Sequence, residues 1–558
     1  MKPWLRWSLR IGGAALLVAL VLVLWFTGYR IAGFILGGVV GMALALSLGI
    51  GLIRLVLRPG LSVTGVARTL VDEAVRMKVA LVFMVALLLL LPVLPFGLDS
   101  AERLDYRVQF FLTWSLTAVG VLLSLMTIFL ACSTICFEIE NRQVFLTLTK
   151  PVGRGTYLAG KWLGIVLLNA VLVGVAGGAV WGFARVLGMQ PGVGLADEMA
   201  VTEQVLTARA SVTPRPREAA GLQPLVEQRL AQLRAENPQQ FEGGVTPEML
   251  EQVRNQVRLG WLTVEPGNVN VYVFDGLTDR ATLGQEVQLR VRPKASKPTP
   301  NERLWLGVRI NGRPWPQHSG GERPPGIIEA INDAYHVVRI PTELVDAEGR
   351  LLIEIANFTP PDRTKPTADE QRPPSVSFTA TEGEGIELRY KVGSFEGNLA
   401  RAFTMLWLRL AFLAMLGLAA GTFLSFPVAC LLALLVYVVA AGSGFIGESL
   451  ASFGGSVAGK PDALAIIAWP FAESVKHLAA LDLWAFVKVW IKVVGVLFTS
   501  LVPSLGRYNP VPLVADGQVV SWDLLGRAAG NVGLLWTTAM GVLAWAIFRR
   551  RELAKVTV

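Results

Sequence analysis

Apolar runs long enough to cross a bilayer recur along this chain, and they leave it one broad class of fold. Crossing about 30 Å of hydrocarbon at about 1.5 Å per residue takes about 20 residues. Runs of this kind cover 11–27, 31–57, 79–96, 110–135, 162–186, 402–423, 428–446 and 532–548. Any one of them could be the buried helix of a soluble core, but so many in one chain predict a polytopic α-helical membrane protein of about eight spans. Of the 558 residues, 53% are hydrophobic and only 17% charged, against about a quarter charged in soluble proteins. The net charge of +9 sits largely beside the apolar runs, where the positive-inside rule places it, and does not form a nucleic-acid-binding surface.

The N-terminus is basic (Lys2, Arg6) and enters its first run at Ile11. That order also describes a signal peptide. A second run follows after only Gly28-Tyr29-Arg30, so an uncleaved hairpin over 1–58 is the better fit. Arg54, Arg58, Arg68, Arg76 and Lys78 assign the far end of that second run to the cytoplasm. Residues 64–78 place Val66, Leu70, Ala74 and Met77 at helical spacing opposite Arg68, Asp72, Glu73 and Arg76. This reads as an elbow helix in the membrane interface, or as an ordinary connector helix.

Between 188 and 400 no run is long enough to span, and the composition turns polar and rich in Pro and Gly. The first part (200–260) is expected to be helical, from the spacing in Leu222–Glu236 and Pro247–Leu259. From Trp261 to 395 alternation takes over, as in Val269–Phe274, Val287–Val291, Leu304–Ile310, His336–Ile340 and Leu351–Ile355, with turn signals at Asn311-Gly312, Glu348-Gly349 and Glu384-Gly385. The expectation is an inserted extracytoplasmic α+β domain, mainly a β-sandwich. Parity of the spans puts it outside the cytoplasm. The last part, 401–558, supplies three more spans, the final one ending in Arg549-Arg550-Arg551. Residues 481–501 are apolar enough to cross, but Lys488 and Lys492 between Trp484 and Trp490 fit an interfacial or re-entrant helix, which also keeps the terminal arginines inside.

Two glycine patterns carry no nucleotide chemistry. Gly155 to Lys161 matches the first seven positions of a phosphate-binding loop, but Trp162 stands where Ser or Thr would hold magnesium, and no strand precedes it. Gly442-Ser-Gly444-Phe-Ile-Gly447 lies at the end of a span, where small residues serve helix packing. His318, His336 and His477 are scattered. Cys132 and Cys136 share a helix face with no third ligand, so packing is the favoured role, and no metal site is expected. Asn357-Phe358-Thr359 satisfies a glycosylation sequon, a pattern cheap by chance.

The informative segment is 137–161, expected on the cytoplasmic side: a short helix with an apolar side at Val144, Phe145 and Leu148, stopped by Pro151 and followed by a basic turn into the next span. Composition alone allows either a solvated positive loop or a rigid element that passes a partner's motion to two spans. Its run Glu138-Ile-Glu140-Asn141-Arg142 … Lys150-Pro151-Val-Gly153-Arg154 … Tyr157-Leu-Ala-Gly-Lys161 closely resembles the segment after the second core span of ABC-2-type transporter permeases, with Gly153 where Ser is usual. The elbow and the Phe548–Glu552 ending are also similar to that family. The resemblance covers 64–187 and 403–552, and leaves the first hairpin and 188–400 as additions.

The resemblance implies a six-span core within 59–187 and 401–558, working as a homodimer or heterodimer of permeases with a separate ABC ATP-binding subunit. Glu138, Glu140, Asn141, Arg142, Lys150, Pro151, Arg154, Tyr157 and Lys161 would form the ATPase-coupling region, transmitting motion without catalysis. ATP and magnesium would be bound by the partner, with no cofactor on this chain. The implied setting is a bacterial cytoplasmic membrane with both termini inside, lipids around the spans and a periplasmic partner for the inserted domain. The alternative is a membrane-anchored extracytoplasmic binding or scaffold protein without transport activity.

Overall fold

The computed structural model describes residues 20–21, 23–24, 29–57, 60–96, 103–143, 153–192, 194–216, 222–236, 238, 245, 247–277, 286–299, 302–317, 324–363, 365–379, 385–452, 484, 490 and 503–550. Most of the first apolar run, nearly all of 481–501, and Lys150 and Pro151 lie outside the described residues. The chain separates into two compact units, one formed by Met1–Thr207, Ser394–Ala451 and Leu464–Val558, the other by Ala208–Gly393 with Ser452–Ala463.

The first unit is helical. In chain order it contains α1 (Arg30–Val56), α2 (Ser62–Ala74), α3 (Lys78–Val93), α4 (Leu104–Glu140) and α5 (Arg154–Gly188). The inserted unit contributes α6 (Gln223–Glu236) and α7 (Pro247–Leu262). The first unit then resumes with α8 (Phe395–Gly421), α9 (Phe426–Ser452) and α10 (Trp522–Arg550), the last including a π-helical stretch at Ala529–Trp536. Six of these helices, α1, α4, α5, α8, α9 and α10, are long and apolar enough to cross a membrane; Ala80–Phe96 forms a shorter apolar helix.

These helices share one hydrophobic core, and small residues set how closely they approach. A Cβ on Gly417 would lie 2.7 Å from that of Ala131, and one on Gly421 would lie 3.3 Å from the Cys136 sulfur. Cys132 and Cys136 are buried free thiols whose sulfurs face the Gly417 and Gly421 carbonyls at 3.6 and 3.7 Å. Close approach through such stripes is how helices pack where lipid gives no hydrophobic drive. Polar side chains cross-link the bundle: Asn169 donates to Thr127 at 2.9 Å. Trp162 and Trp407 donate reciprocally across α5 and α8, to the carbonyls of Ala411 and Val166. At the end near the insertion, the Asp197 carboxylate accepts from the Leu104 and Asp105 amides, an N-cap for α4 supplied from far along the chain.

In the inserted unit three antiparallel sheets form: β1 (Thr207–Val212), β13 (Ile386–Ser394), β5 (Glu286–Val291) and β10 (His336–Pro341) in one; β2 (Arg215–Pro216), β4 (Val269–Phe274), β11 (Leu351–Asn357), β7 (Arg303–Ile310) and β8 (Arg313–Pro314) in the second, with β9 (Ile327–Ile331) on β7; and β3 (Thr263–Val264), β12 (Val376–Ser377) and β6 (Lys294–Ala295) in the third. The alternating segments of the sequence are these strands. Ile353 of β11 sits opposite Tyr272 on one side and Ile310 on the other. Val287, Leu289, Ile340 and Leu388 of the first sheet share a core with Tyr272, Leu306 and Ile353 of the second. Asn311 and Gly312, both at positive φ, make the turn between β7 and β8.

One expectation changes here, and the dismissal of the sequon gains a reason. The 200–260 stretch is not purely helical, because Thr207–Val212 and Arg215–Pro216 are strands; Thr207-Ala-Arg-Ala-Ser-Val is a short half-polar run that gains its ladder only from β13, nearly two hundred residues away. The Asn357 sequon is not accessible: its buried side-chain amide donates to the Val264 and Pro374 carbonyls.

Together the described residues establish a polytopic helical membrane protein with an extracytoplasmic α+β insertion. Arg54, Arg68, Arg76, Lys78, Arg142, Arg154, Lys161, Arg549 and Arg550 gather at the helix ends opposite those from which the insertion leaves, so the positive-inside rule places the insertion on the outer side.

Candidate functional site

Helices α4 and α5 hold 37 and 35 residues, roughly 50–55 Å each at about 1.5 Å per residue, well beyond the about 30 Å of hydrocarbon. Helices of that length leave residues beyond the slab, and the end of α4 and the start of α5 carry the ionisable groups that the hydrocarbon would exclude. Glu138 stands in the last turn of α4, and Tyr157 and Lys161 in the first two turns of α5.

These three residues meet. Lys161 pairs with one Glu138 carboxylate oxygen, and the Tyr157 hydroxyl donates to the other. Lys161 Nζ also donates to Thr134 Oγ1 at 3.0 Å, and Glu73 of α2 lies 3.6 Å away. The Lys161 side chain is 3% exposed and that of Glu138 14%, whereas Glu73 is 41% exposed. The Lys161–Glu138 pair is therefore the desolvated one, and Glu73 adds a solvent-screened contribution. On its other side the Tyr157 ring stacks on Phe548 of α10, with centroids 6.0 Å apart. Arg154 donates to the carbonyls of Phe548 and Arg549 at 2.8 and 2.7 Å, closing orphan groups at the end of α10 with a cation.

Helix α2 lies against this cluster through Val66, Ala67, Leu70, Val71 and Ala74, all buried. A Cβ on Gly160 would come 2.7 Å from the Val66 Cβ and 2.9 Å from the Val63 carbonyl oxygen; on Gly164 it would come 2.8 Å from the Ala67 carbonyl oxygen. Gly155 in turn leaves room for Trp545, 3.2 Å from where its Cβ would be. The glycines of the apparent phosphate loop thus face neighbouring helices inside α5 and form no anion cradle. Among the described residues no group of His, Cys, Asp or Glu could hold a metal ion.

Of the remaining coupling residues, Lys150 and Pro151 lie outside the described residues. Glu138 to Glu140 belong to α4 itself and do not begin a separate helix, because the turn comes later, at Asn141 and at Arg142 with φ 58°. Glu140, Asn141 and Arg142 are exposed. The arrangement is an exposed polar turn fastened to a buried ionic knot that joins α2, α4, α5 and, through Tyr157 and Arg154, α10.

No family model matches this chain, and neither the curated proteins nor the solved structures contain a match.

Sequence reasoning selected Glu138, Arg154, Tyr157 and Lys161, and these four come together. It missed Thr134 and Glu73 as partners. Glu73 was legible only as a polar position on the elbow; its approach to Lys161 depends on the α2–α5 crossing, for which the Gly160-x-x-x-Gly164 spacing is the signal.

Proposed function

We propose that this chain is the permease subunit of an ABC-2-type transporter, in which a separate ATP-binding subunit docks at the exposed Glu140–Arg142 turn and drives the spans. The observation that carries the reading is the Glu138–Tyr157–Lys161 knot with Glu73: it ties the turn to two spans and the elbow, so a push on the turn moves them together. The resemblance of 138–161 to the family's segment supports the same reading. On it, the chain works as a dimer of permeases in a bacterial cytoplasmic membrane, termini inside, exporting substrate or acting on the envelope. ATP and magnesium belong to the partner, and the inserted domain, a β-sandwich in outline, recruits a periplasmic partner or handles substrate.

The test is purification of the full-length chain from its native membrane, with mass spectrometry of what accompanies it. An ATP-binding subunit is expected with the wild type, and Glu140→Arg combined with Arg142→Glu should remove it while leaving the fold intact. If charge reversal leaves both assembly and ATPase activity unchanged, the coupling reading fails and a membrane-anchored scaffold takes its place.

A further inference from the structure

Arg409 stands midway along α8, half-buried among the helices at the wall of a cavity. A cation at that depth is retained only where something compensates its lost hydration, and in membrane proteins such a residue marks a binding or transport site by default. Its Nε is shut off from solvent without a hydrogen-bond partner. Its guanidinium packs over Gly120 of α4, where a Cβ would come within 2.7 Å of Nη2. Among the described residues no carboxylate pairs with it; the Tyr437 ring, 6.0 Å from the guanidinium carbon, is its one electrostatic neighbour. A ring at that distance offsets only part of the desolvation of a cation.

Arg409 lines a cavity of about 210 Å³. Most of the wall is apolar, with Leu116, Val121, Phe403 and Leu406 among it; Tyr437 and Asn509 add polar groups. The volume is below the roughly 300–1,000 Å³ of pockets that enclose whole drug-sized molecules. It suits a headgroup or chain end, with the rest of the molecule outside. Val121 is 41% exposed on the bundle surface, so the wall reaches a face that lipid tails cover.

We propose that the Arg409 cavity binds the anionic headgroup of a lipid-like amphiphile, with the guanidinium as counter-ion and the tail against the apolar wall. The inference stands on the cavity and does not depend on the transport reading. Its test is native mass spectrometry of the full chain in a neutral detergent, titrated with palmitoyl-oleoyl phosphatidylglycerol, with the phosphatidylcholine of the same chains, and with inorganic phosphate. The wild type should retain phosphatidylglycerol at least about tenfold more tightly than phosphatidylcholine, the scale of one charge-assisted bidentate contact. Arg409→Gln should abolish that preference, and Gly120→Leu should do so by filling the space beside an intact arginine. Arg401→Gln, on the same helix but outside the cavity wall, should leave it unchanged. No headgroup preference in the wild type would overturn the proposal without reference to any variant. So would a preference that survives in Arg409→Gln, or one lost equally in Arg401→Gln. Inorganic phosphate displacing phosphatidylglycerol at equal concentration would reduce the ligand to a free oxyanion and overturn the lipid assignment.

Discussion

Lys161 is the residue whose environment decides most at the candidate site. Its charge is almost wholly buried, and Glu138 and Thr134 replace the water it gave up. Removing one member of such a pair strands the other, which costs about 3–5 kcal/mol, whereas replacing both by apolar groups of similar size is often neutral. Glu138→Ala should therefore lower thermal stability in detergent by about 3 kcal/mol or more, and Glu138→Leu with Lys161→Met should recover most of it. A double-mutant cycle on melting temperature reads this directly; strictly additive losses would show that the pair is not coupled. A second residue-scale expectation concerns His336 in the insertion, whose Nε2 accepts from the Ile331 amide at 2.8 Å. Burial holds its pKa below the ordinary 6.5. Below pH 6.5 the unfolded chain takes up a proton that the folded strand β10 refuses, so local stability falls as pH drops through that value. Hydrogen exchange of Ile327–Pro341, corrected for intrinsic rates, should show easier opening at pH 5.5 than at 7.5, and His336→Gln should remove the difference.

At the scale of elements, α2 is held on α5 by two glycines with no room beside them. Gly164→Leu would drive a branched side chain into the Ala67 backbone and the Leu70 side chain, a clash that only separation of the helices relieves. We expect loss of exchange protection across Ser62–Ala74, with the inserted unit unaffected. Protection equal to wild type would mean the crossing is not close. Much of this level was readable from the sequence: the elbow's apolar stripe, six of the eight expected spans and five strands follow from apolar run length and from periods of 3.6 and 2. What was not readable depended on partners far away in the chain. Thr207–Val212 becomes a strand through β13, and Asp197 caps a helix that begins at Leu104. The extension of α4 through Glu140 was hidden because Phe137-Glu-Ile-Glu resembles a fresh start in charge, while the helix carrying it continues unbroken.

Across the whole molecule an exposed turn is joined to a buried knot, and on the proposed function force enters through the first and spreads through the second. The sequence pointed to this segment by resemblance, but not to its division of labour: Glu138, Arg154, Tyr157 and Lys161 are held by contacts within the helices, while Glu140, Asn141 and Arg142 face solvent. That division separates the expected phenotypes. Changes at the knot should lower stability, and changes at the turn should leave melting within about 0.5 kcal/mol of wild type and act only on assembly. The most direct measurement is site-specific photocrosslinking in native membranes from benzoylphenylalanine placed at Asn141, with the same label at the exposed Trp522 as the control. An adduct is expected at Asn141 with a protein that contains an ATP-binding phosphate loop, and none at Trp522. An Asn141 label that captures no such subunit while the chain remains folded and membrane-inserted would contradict the proposed function.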